Sequence, residues 1–330
     1  MHLELVVPAL FAAQTAVPAP ALELLLARGR RTDTEAASLE PWLCRAFELE
    51  VTSLPAGALS ALACGQDPGD HTWLRADPVH LRADRDRLLL IPSQAFAVTA
   101  AESEQLAAAL NRHFADEFML LALRPDVWTL QARSKTEIKA QPPIELAGRN
   151  VDANLPEKHW HALLNEIQMV LYEHPVNTER EKRGDPVLNS VWLWGAGRLP
   201  SKASGPWQSV SADDSAVLGL ARLAGMRHRA PGGDAEEWLA RAPEDGRHLI
   251  VLDGLRGAQA LGDRAAVEER LRDLELNWFA PLLAALKANR IGMLSVHVPE
   301  AAASFETIRG DLRRFWRRAR PLSSYFVHAR

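Results

Sequence analysis

The run His248-Leu-Ile-Val-Leu-Asp253, the helical pattern over 265–288 that follows it, and Ile291-Gly-Met-Leu-Ser-Val-His-Val298 together form the passage on which the fold turns. The first and last segments are short apolar runs of the kind a strand buried on both faces requires. The middle segment has helical periodicity interrupted by Pro281, which removes a backbone donor and crowds the preceding turn. Strand, helix and strand in this order predict a parallel pair joined by a crossover.

Elsewhere Leu3-Glu-Leu-Val-Val7 reads as another buried strand ended by Pro8, and 19–28 as a helix with Pro20 near its start. Leu188 to Leu193 reads as a strand running into Gly195-Ala-Gly197, 215–224 as a helix stopped by Gly225, and 159–174 as a helix with an apolar face carrying Trp160, Leu164, Ile167 and Leu171. This alternation predicts the α/β class, with a mostly parallel sheet covered on both faces. Between these segments the texture changes. Residues 73–82 alternate, 87–91 form a strand, 99–114 a helix, and 118–122 with 127–131 a hairpin around Arg124-Pro-Asp126. The expected organisation is a core from 1–75 and 149–330, with a smaller α+β insert at 76–148.

The 330 residues carry 38 Lys and Arg against 42 Asp and Glu, a net charge of −4, so the total charge offers no general attraction to nucleic acid or an anionic membrane. Apolar runs such as 21–27 fall short of the roughly 20 residues of a membrane span. The start lacks the basic region of a secretory signal and places Glu4 inside its apolar stretch. Two cysteines, Cys44 and Cys64, neither staple a chain of this size nor build a four-ligand zinc site, which points to a reducing cytoplasm.

The stretch His174-Pro-Val-Asn-Thr-Glu-Arg-Glu-Lys-Arg-Gly-Asp-Pro-Val-Leu-Asn-Ser-Val-Trp-Leu-Trp-Gly-Ala-Gly197 resembles the substrate-binding segment of the archaeal-type, cofactor-independent phosphoglycerate mutases of the alkaline phosphatase superfamily. Asn177, Arg180, Asn189 and Gly195 to Gly197 match its pattern. The resemblance continues through Leu220-Ala-Arg-Leu-Ala-Gly-Met226 and Leu252-Asp-Gly-Leu-Arg-Gly-Ala-Gln-Ala-Leu-Gly-Asp263. Gly148-Arg-Asn-Val-Asp152, Asn165 to Asn177 and Asn277-Trp-Phe-Ala-Pro-Leu-Leu283 look most like the proteobacterial RpfE-type regulatory proteins. The resemblance implies an alkaline-phosphatase-like three-layer α/β/α core.

An active mutase of this kind holds two divalent metals beside a Ser or Thr nucleophile. Three elements of the family's ligand pattern are changed here, at four positions. Pro8-Ala9-Leu10 follows the first strand where the family has an Asp; Arg256 and Ala260 stand for an Asp and a His; Ser295-Val-His297 keeps the His of S-D-H and replaces its Asp by Val296. Thr15, Ser38, Thr52, Ser53 and Ser60 all lack a nucleophile's surroundings. The expectation is therefore a non-catalytic regulatory or interaction protein with no cofactor and no metal. One alternative is a sensor that binds a phosphorylated carboxylate without turnover through Asn177, Arg180, Asn189, Gly195 and Gly197, since carboxamides bond hydroxyls and a guanidinium forks onto phosphate. A second is an enzyme with altered, metal-independent chemistry. Trp192, Trp194, Trp207 and Trp278 are expected near the cleft.

The stretch Asp311-Leu-Arg-Arg-Phe-Trp-Arg-Arg-Ala-Arg320 reads as a helix with Ile308, Leu312, Phe315 and Trp316 as its apolar stripe. Arg313, Arg314, Arg317 and Arg318 are the candidate partner-binding residues. A protein is the expected partner, any nucleic-acid contact would be local to these arginines, and no membrane contact is expected.

Overall fold

In the computed structural model the chain is described over residues 1–12, 16–85, 87–133, 138, 140–151, 158–243 and 245–325, with backbone alone at 158–160. Thr15, Asp152 and the side chains of His159 and Trp160, considered above, lie outside the described residues. Two compact units emerge: Met1–Leu49 with Lys202–Arg330, and Glu50–Ser201.

The first unit opens with β1 (His2–Val6), α1 (Pro20–Arg28), β2 (Arg30–Asp33) and α2 (Leu39–Ala46). The second contains α3 (Ala56–Ala63), β3 (Thr72–Asp84), β4 (Arg87–Pro92), α4 (Ala100–His113), β5 (Phe118–Arg124), β6 (Val127–Ala132), α5 (Lys158–Tyr172), α6 (Pro175–Arg183) and β7 (Ser190–Gly197). The first unit resumes with β8 (Ser209–Ser211), α7 (Ser215–Leu223), β9 (Arg227–Arg229), α8 (Ala235–Arg241) and β10 (Arg247–Val251). It closes with α9 (Leu255–Ala260), α10 (Arg264–Leu274), α11 (Ala280–Lys287), β11 (Met293–Val298) and β12 (Ala303–Ile308).

The sheet of the first unit has the order β2-β12-β11-β1-β10-β8-β9. β1 lies in register and parallel between β10 and β11, with Leu3 opposite His248 and Leu294. β12 and β2 run antiparallel at one edge. Leu3, Leu5 and Val7 share one face with Leu294, Val296 and Val298, and α1, α8, α10 and α11 bury it. Each such side chain contributes roughly 1.5–3 kcal/mol on leaving water. The opposite face carries Glu4, Ser295 and His297, and α2 reaches it through Trp42, whose ring lies 5.7 Å from that of His297. The fold is of the α/β class read from the strand and helix alternation.

The long helical pattern interrupted by Pro281 is a continuous helix of three parts. Between α10 and α11 the chain widens into a π-turn over Glu275–Phe279, so that Pro281 falls in the first turn of α11. The wider turn accommodates a residue that neither donates nor tolerates the carbonyl four positions earlier. Glu275 also caps α1, whose own N-cap Ala19 has no side-chain acceptor. Its carboxylate accepts from the N–H groups of Ala21 and Leu22 at 2.7 and 3.1 Å.

The second unit is an antiparallel sheet in the order β4-β3-β6-β5, with β7 paired to β3 as well. Its core joins Leu106 and Leu110 of α4 and Phe114 at its C-cap to Leu164, Ile167 and Leu171 of α5 over Leu120, Leu130 and Leu193. The thirteen residues of β3 pair with β6 in its first part, with β4 in its second and with β7 along Trp73–Val79. That length moves the boundary of the unit. Residues 76–148, the expected insert, lie inside it, but pairing with β7 brings the His174 to Gly197 stretch into the same unit, which runs from Glu50 to Ser201.

Candidate functional site

Asn177 and Arg180 sit on α6, which begins at a His174 cap and Pro175 and ends at the left-handed Gly184. Both side chains turn inward. Asn177 is 2% exposed; its Nδ2 donates to the carbonyls of Leu171 and Leu188 at 2.8 and 2.9 Å, and its Oδ1 accepts from the Leu188 N–H at 2.9 Å. Arg180 is 1% exposed, and each of its three guanidinium nitrogens is engaged: Nε on the Pro186 carbonyl at 2.7 Å, Nη1 on Glu102 at 3.0 Å, Nη2 on the Ala97 carbonyl at 3.0 Å. Glu102 closes a capping box with Thr99 at the start of α4 and also accepts from Arg183 at 2.6 Å. Burial works to raise its carboxyl, but the Thr99 N–H and the Arg183 guanidinium outweigh it and hold the group at about 2.

Asn189 pairs with the backbone of Leu81 as a strand neighbour would, accepting from its N–H and donating to its carbonyl, both at 2.8 Å. Gly195 has φ +59, and a Cβ there would stand 2.7 Å from the Ala56 Cβ; at Gly197 it would meet the Pro55 Cβ at 2.8 Å. The glycines let β7 approach the start of α3 rather than a ligand. Asn177, Arg180, Asn189, Gly195 and Gly197, the residues expected to form an anion pocket, tie α6, the loop after it and β7 into their own unit in this structure. Three of the four tryptophans expected near a cleft are packed too. Trp192 donates to the Gln141 carbonyl at 2.9 Å and Trp194 to Asp77 at 2.7 Å, while Trp207 lies 5.1 Å from the Phe47 ring.

The other candidate centre is the carboxyl end of the parallel strands in the first unit, where open α/β sheets place their ligands. Arg256, on the first turn of α9 just beyond β10, donates to both oxygens of Glu40 on α2, at 2.9 and 3.2 Å. Both side chains are largely covered, at 11% and 14% exposure. Beyond β1, the Ala9 N–H donates to Glu300 at 3.2 Å. Val296 is buried in the apolar core. His297 engages Glu4 at 3.3 Å, and Glu4 also takes Arg247 at 2.6 Å. Burial raises the Glu4 carboxyl, but His297 and Arg247 prevail and bring it to about 2. Two divalent ions do not fit this donor set. A fixed cation already occupies the Glu40 carboxylate, Val296 offers no ligand atom, and among the described residues no group of three or more His, Cys, Asp or Glu side chains is placed to hold a metal.

Beside this centre a cavity of about 350 Å³ opens at the ends of β8 and β10, lined by Asp213, Asp253 and Asp273 with Arg270, Asn277 and Trp278. Burial, reinforced by Asp214, pushes the Asp253 carboxyl up to about 6, against the pull of Arg256. Three carboxylates against one guanidinium disfavour a phosphorylated carboxylate here. The sequence reading missed this cavity, because its residues come from four separate segments; the signal available was Asp253 directly after a buried strand.

The helix expected at the C-terminal arginines is not formed. A short 3₁₀ turn, Arg309–Arg313, leads out of β12 and is followed by irregular chain. Asp311 accepts from the Ile308 N–H and holds the strand exit. Ile308, Phe315 and Trp316 are 42%, 77% and 66% exposed, so they form no buried stripe. Arg314 pairs with Asp311 at 2.8 Å, and Arg317 donates to the Gly29 carbonyl at 2.9 Å. Arg313 and Arg318 are exposed and have no side-chain partner among the described residues.

No family model matches the chain. It is 29% identical over 154 residues to 2,3-bisphosphoglycerate-independent phosphoglycerate mutase 2 of Methanothermobacter thermautotrophicus, which covers 44% of this chain and 37% of that protein. It is also 29% identical over 156 residues to a probable 2,3-bisphosphoglycerate-independent phosphoglycerate mutase of Geobacter sulfurreducens, covering 44% of this chain and 38% of that one. The matched regions span less than two fifths of these curated relatives. The PH0037 protein of Pyrococcus horikoshii shares the fold with a TM-score of 0.53 and 14% identity, over 93% of this chain and 87% of that one. The chain thus joins an alkaline-phosphatase-like α/β fold to sequence similarity, over less than half its length, with the archaeal-type cofactor-independent phosphoglycerate mutases.

Proposed function

We propose that this chain is a non-catalytic, phosphoglycerate-mutase-like protein, a pseudoenzyme of the RpfE type with a regulatory or interaction role in the cytoplasm. The observation that carries this reading is the Arg256–Glu40 pair at the carboxyl end of the sheet. A guanidinium supplies positive charge there, but it has no open coordination position and lowers no bound water's pKa, so it does not replace a metal in generating an alkoxide. Free Cys44 and Cys64 accord with a reducing compartment. Among the described residues no helix is long and apolar enough to cross a membrane.

The sensor alternative has less support. Asn177, Arg180 and Asn189 are engaged by their own unit, and the cavity in the first unit is acidic. Among the described residues the metal-independent enzyme has two Ser–His contacts to offer, Ser209 Oγ with His248 Nδ1 at 2.7 Å at the amino ends of β8 and β10, and Ser295 Oγ with His2 Nε2 at 2.9 Å between β11 and the first residue of β1, and neither lines that cavity. Metal analysis after dialysis against Mn²⁺ and Zn²⁺ tests the proposal. Absence of stoichiometric metal is the expected result, and two bound ions per chain would overturn it.

A further inference from the structure

Residues 311–320 hold five arginines and an exposed aromatic pair, Phe315 and Trp316, in edge-to-face contact at 5.2 Å. Large apolar side chains left in water beside cations need a reason, since covering each one fully is worth roughly 1.5–3 kcal/mol. The segment is also held in place. Arg28 donates to the Leu312 carbonyl, Arg314 to Asp311 and to the Arg28 carbonyl at 3.2 Å, and Arg317 to the Gly29 carbonyl. These contacts pin the turn to the end of α1 and the start of β2 while Phe315 and Trp316 remain exposed. We propose that this turn is a docking surface for an acidic, apolar-containing segment of a partner protein. The inference rests on the interaction-protein reading above and names its partner's chemistry.

Three observations select this occupant. Trp and Arg are enriched among the residues that dominate binding energy at interfaces, and Phe is enriched at interface cores. Arg313 and Arg318 have no carboxylate of their own among the described residues, so incoming Asp or Glu side chains meet guanidinium forks with no competing partner there. The chain as a whole carries −4, so surface beyond the patch is more acidic still. A long polyanion such as nucleic acid, or an extended anionic membrane, meets repulsion there, whereas a segment the size of the turn does not.

The test is selection of a displayed random 12-residue peptide library on the whole protein. The selected peptides are then titrated against the wild type, the Phe315→Ser/Trp316→Ser variant and the Arg313→Gln/Arg318→Gln variant. Peptides with Asp or Glu beside apolar residues are expected, with affinity falling at least about tenfold between 0.05 and 0.5 M salt. The aromatic variant should lose them and the arginine variant weaken them, with melting temperatures unchanged because all four side chains are exposed. Selected peptides with no acidic bias, or peptides that bind the aromatic variant equally well, would overturn the proposal. So would retention of a 20-nucleotide oligo-dT or of phosphatidylserine vesicles through these same residues when no acidic peptide is recovered. Mutase turnover would remove the non-catalytic reading and leave this surface standing; failure of the peptide selection would do the reverse.

Discussion

Arg180 and the pair Arg313 and Arg318 belong to the two arginine-bearing stretches that stand out in the sequence, and their surroundings are opposite. Arg180 is closed over by α4, α6 and the chain leading to β7, with two carbonyls and the Glu102 carboxylate around it. Arg313 and Arg318 stand in solvent beside uncovered aromatic rings. A motif match made Arg180 the ligand-binding candidate, yet its environment makes it a fastener. Burial of a charge is expensive unless every donor is paired, so a guanidinium at 1% exposure with each nitrogen engaged has little left for a ligand.

The largest effect expected from this contrast is on Arg180→Ala. It removes one partner of a buried ion pair and strands two carbonyls, and should lower unfolding stability by about 3–5 kcal/mol in urea titrations. Arg180→Lys should recover only part of the loss, because an ammonium cannot reproduce the planar fork. A change below about 1 kcal/mol for the alanine variant would mean the site is open enough to take a ligand after all. Asn177→Ala should follow at about 2–4 kcal/mol, since it leaves two buried carbonyls and an N–H without partners.

Glu102 links this network to pH. Its folded-state value of about 2 lies below the ordinary 4.5, so the stabilisation is present above pH 4.5 and lost as pH falls toward 2. Arg183→Gln should flatten that acid limb in urea midpoints recorded from pH 2 to 6.

Asp253 carries the opposite sign. A carboxyl raised from 3.8 to about 6 favours the protonated folded state, so folding loses stability as pH rises through that window and keeps the penalty above it. Asp253→Asn should stabilise the protein by up to about 2 kcal/mol above pH 6, with the gain vanishing near pH 4. An unchanged difference across that range would place Asp253 in water rather than in the cavity wall.

The smallest stability effect belongs to the exposed arginines. Arg313→Gln/Arg318→Gln should alter unfolding stability by less than about 0.5 kcal/mol. A larger loss would show that these arginines, like Arg180, hold structure together.

How much of this was legible follows from what each signal depends on. β1, β10 and β11 announced themselves because a strand in the middle of a parallel sheet must be apolar on both faces, or nearly so. The helix expected over 99–114 forms as α4, but the Thr99–Glu102 capping box that starts it went unread. β12 was missed although Ala303-Ser-Phe-Glu-Thr-Ile308 alternates, since the arginines after it drew Ile308 into a helical reading. A heptad-like spacing of Ile308, Leu312 and Phe315 does not make a helix when a strand needs the first of them and Asp311 caps the strand's end. The boundary of the second unit was hidden because pairing between β3 and β7 joins residues more than a hundred positions apart. At the candidate site, the resemblance pointed to Arg256 at a position where the family pattern has a carboxylate. Its partner Glu40, two hundred residues earlier, became visible only once α2 and α9 met.

The proposed function is that of a mutase-like frame kept without the mutase chemistry. It is tested most directly by assaying purified protein for phosphoglycerate mutase turnover with saturating Mn²⁺. The account predicts no conversion above the protein-free control. Turnover of order 1 per second, the lower end of ordinary enzyme rates, would contradict it.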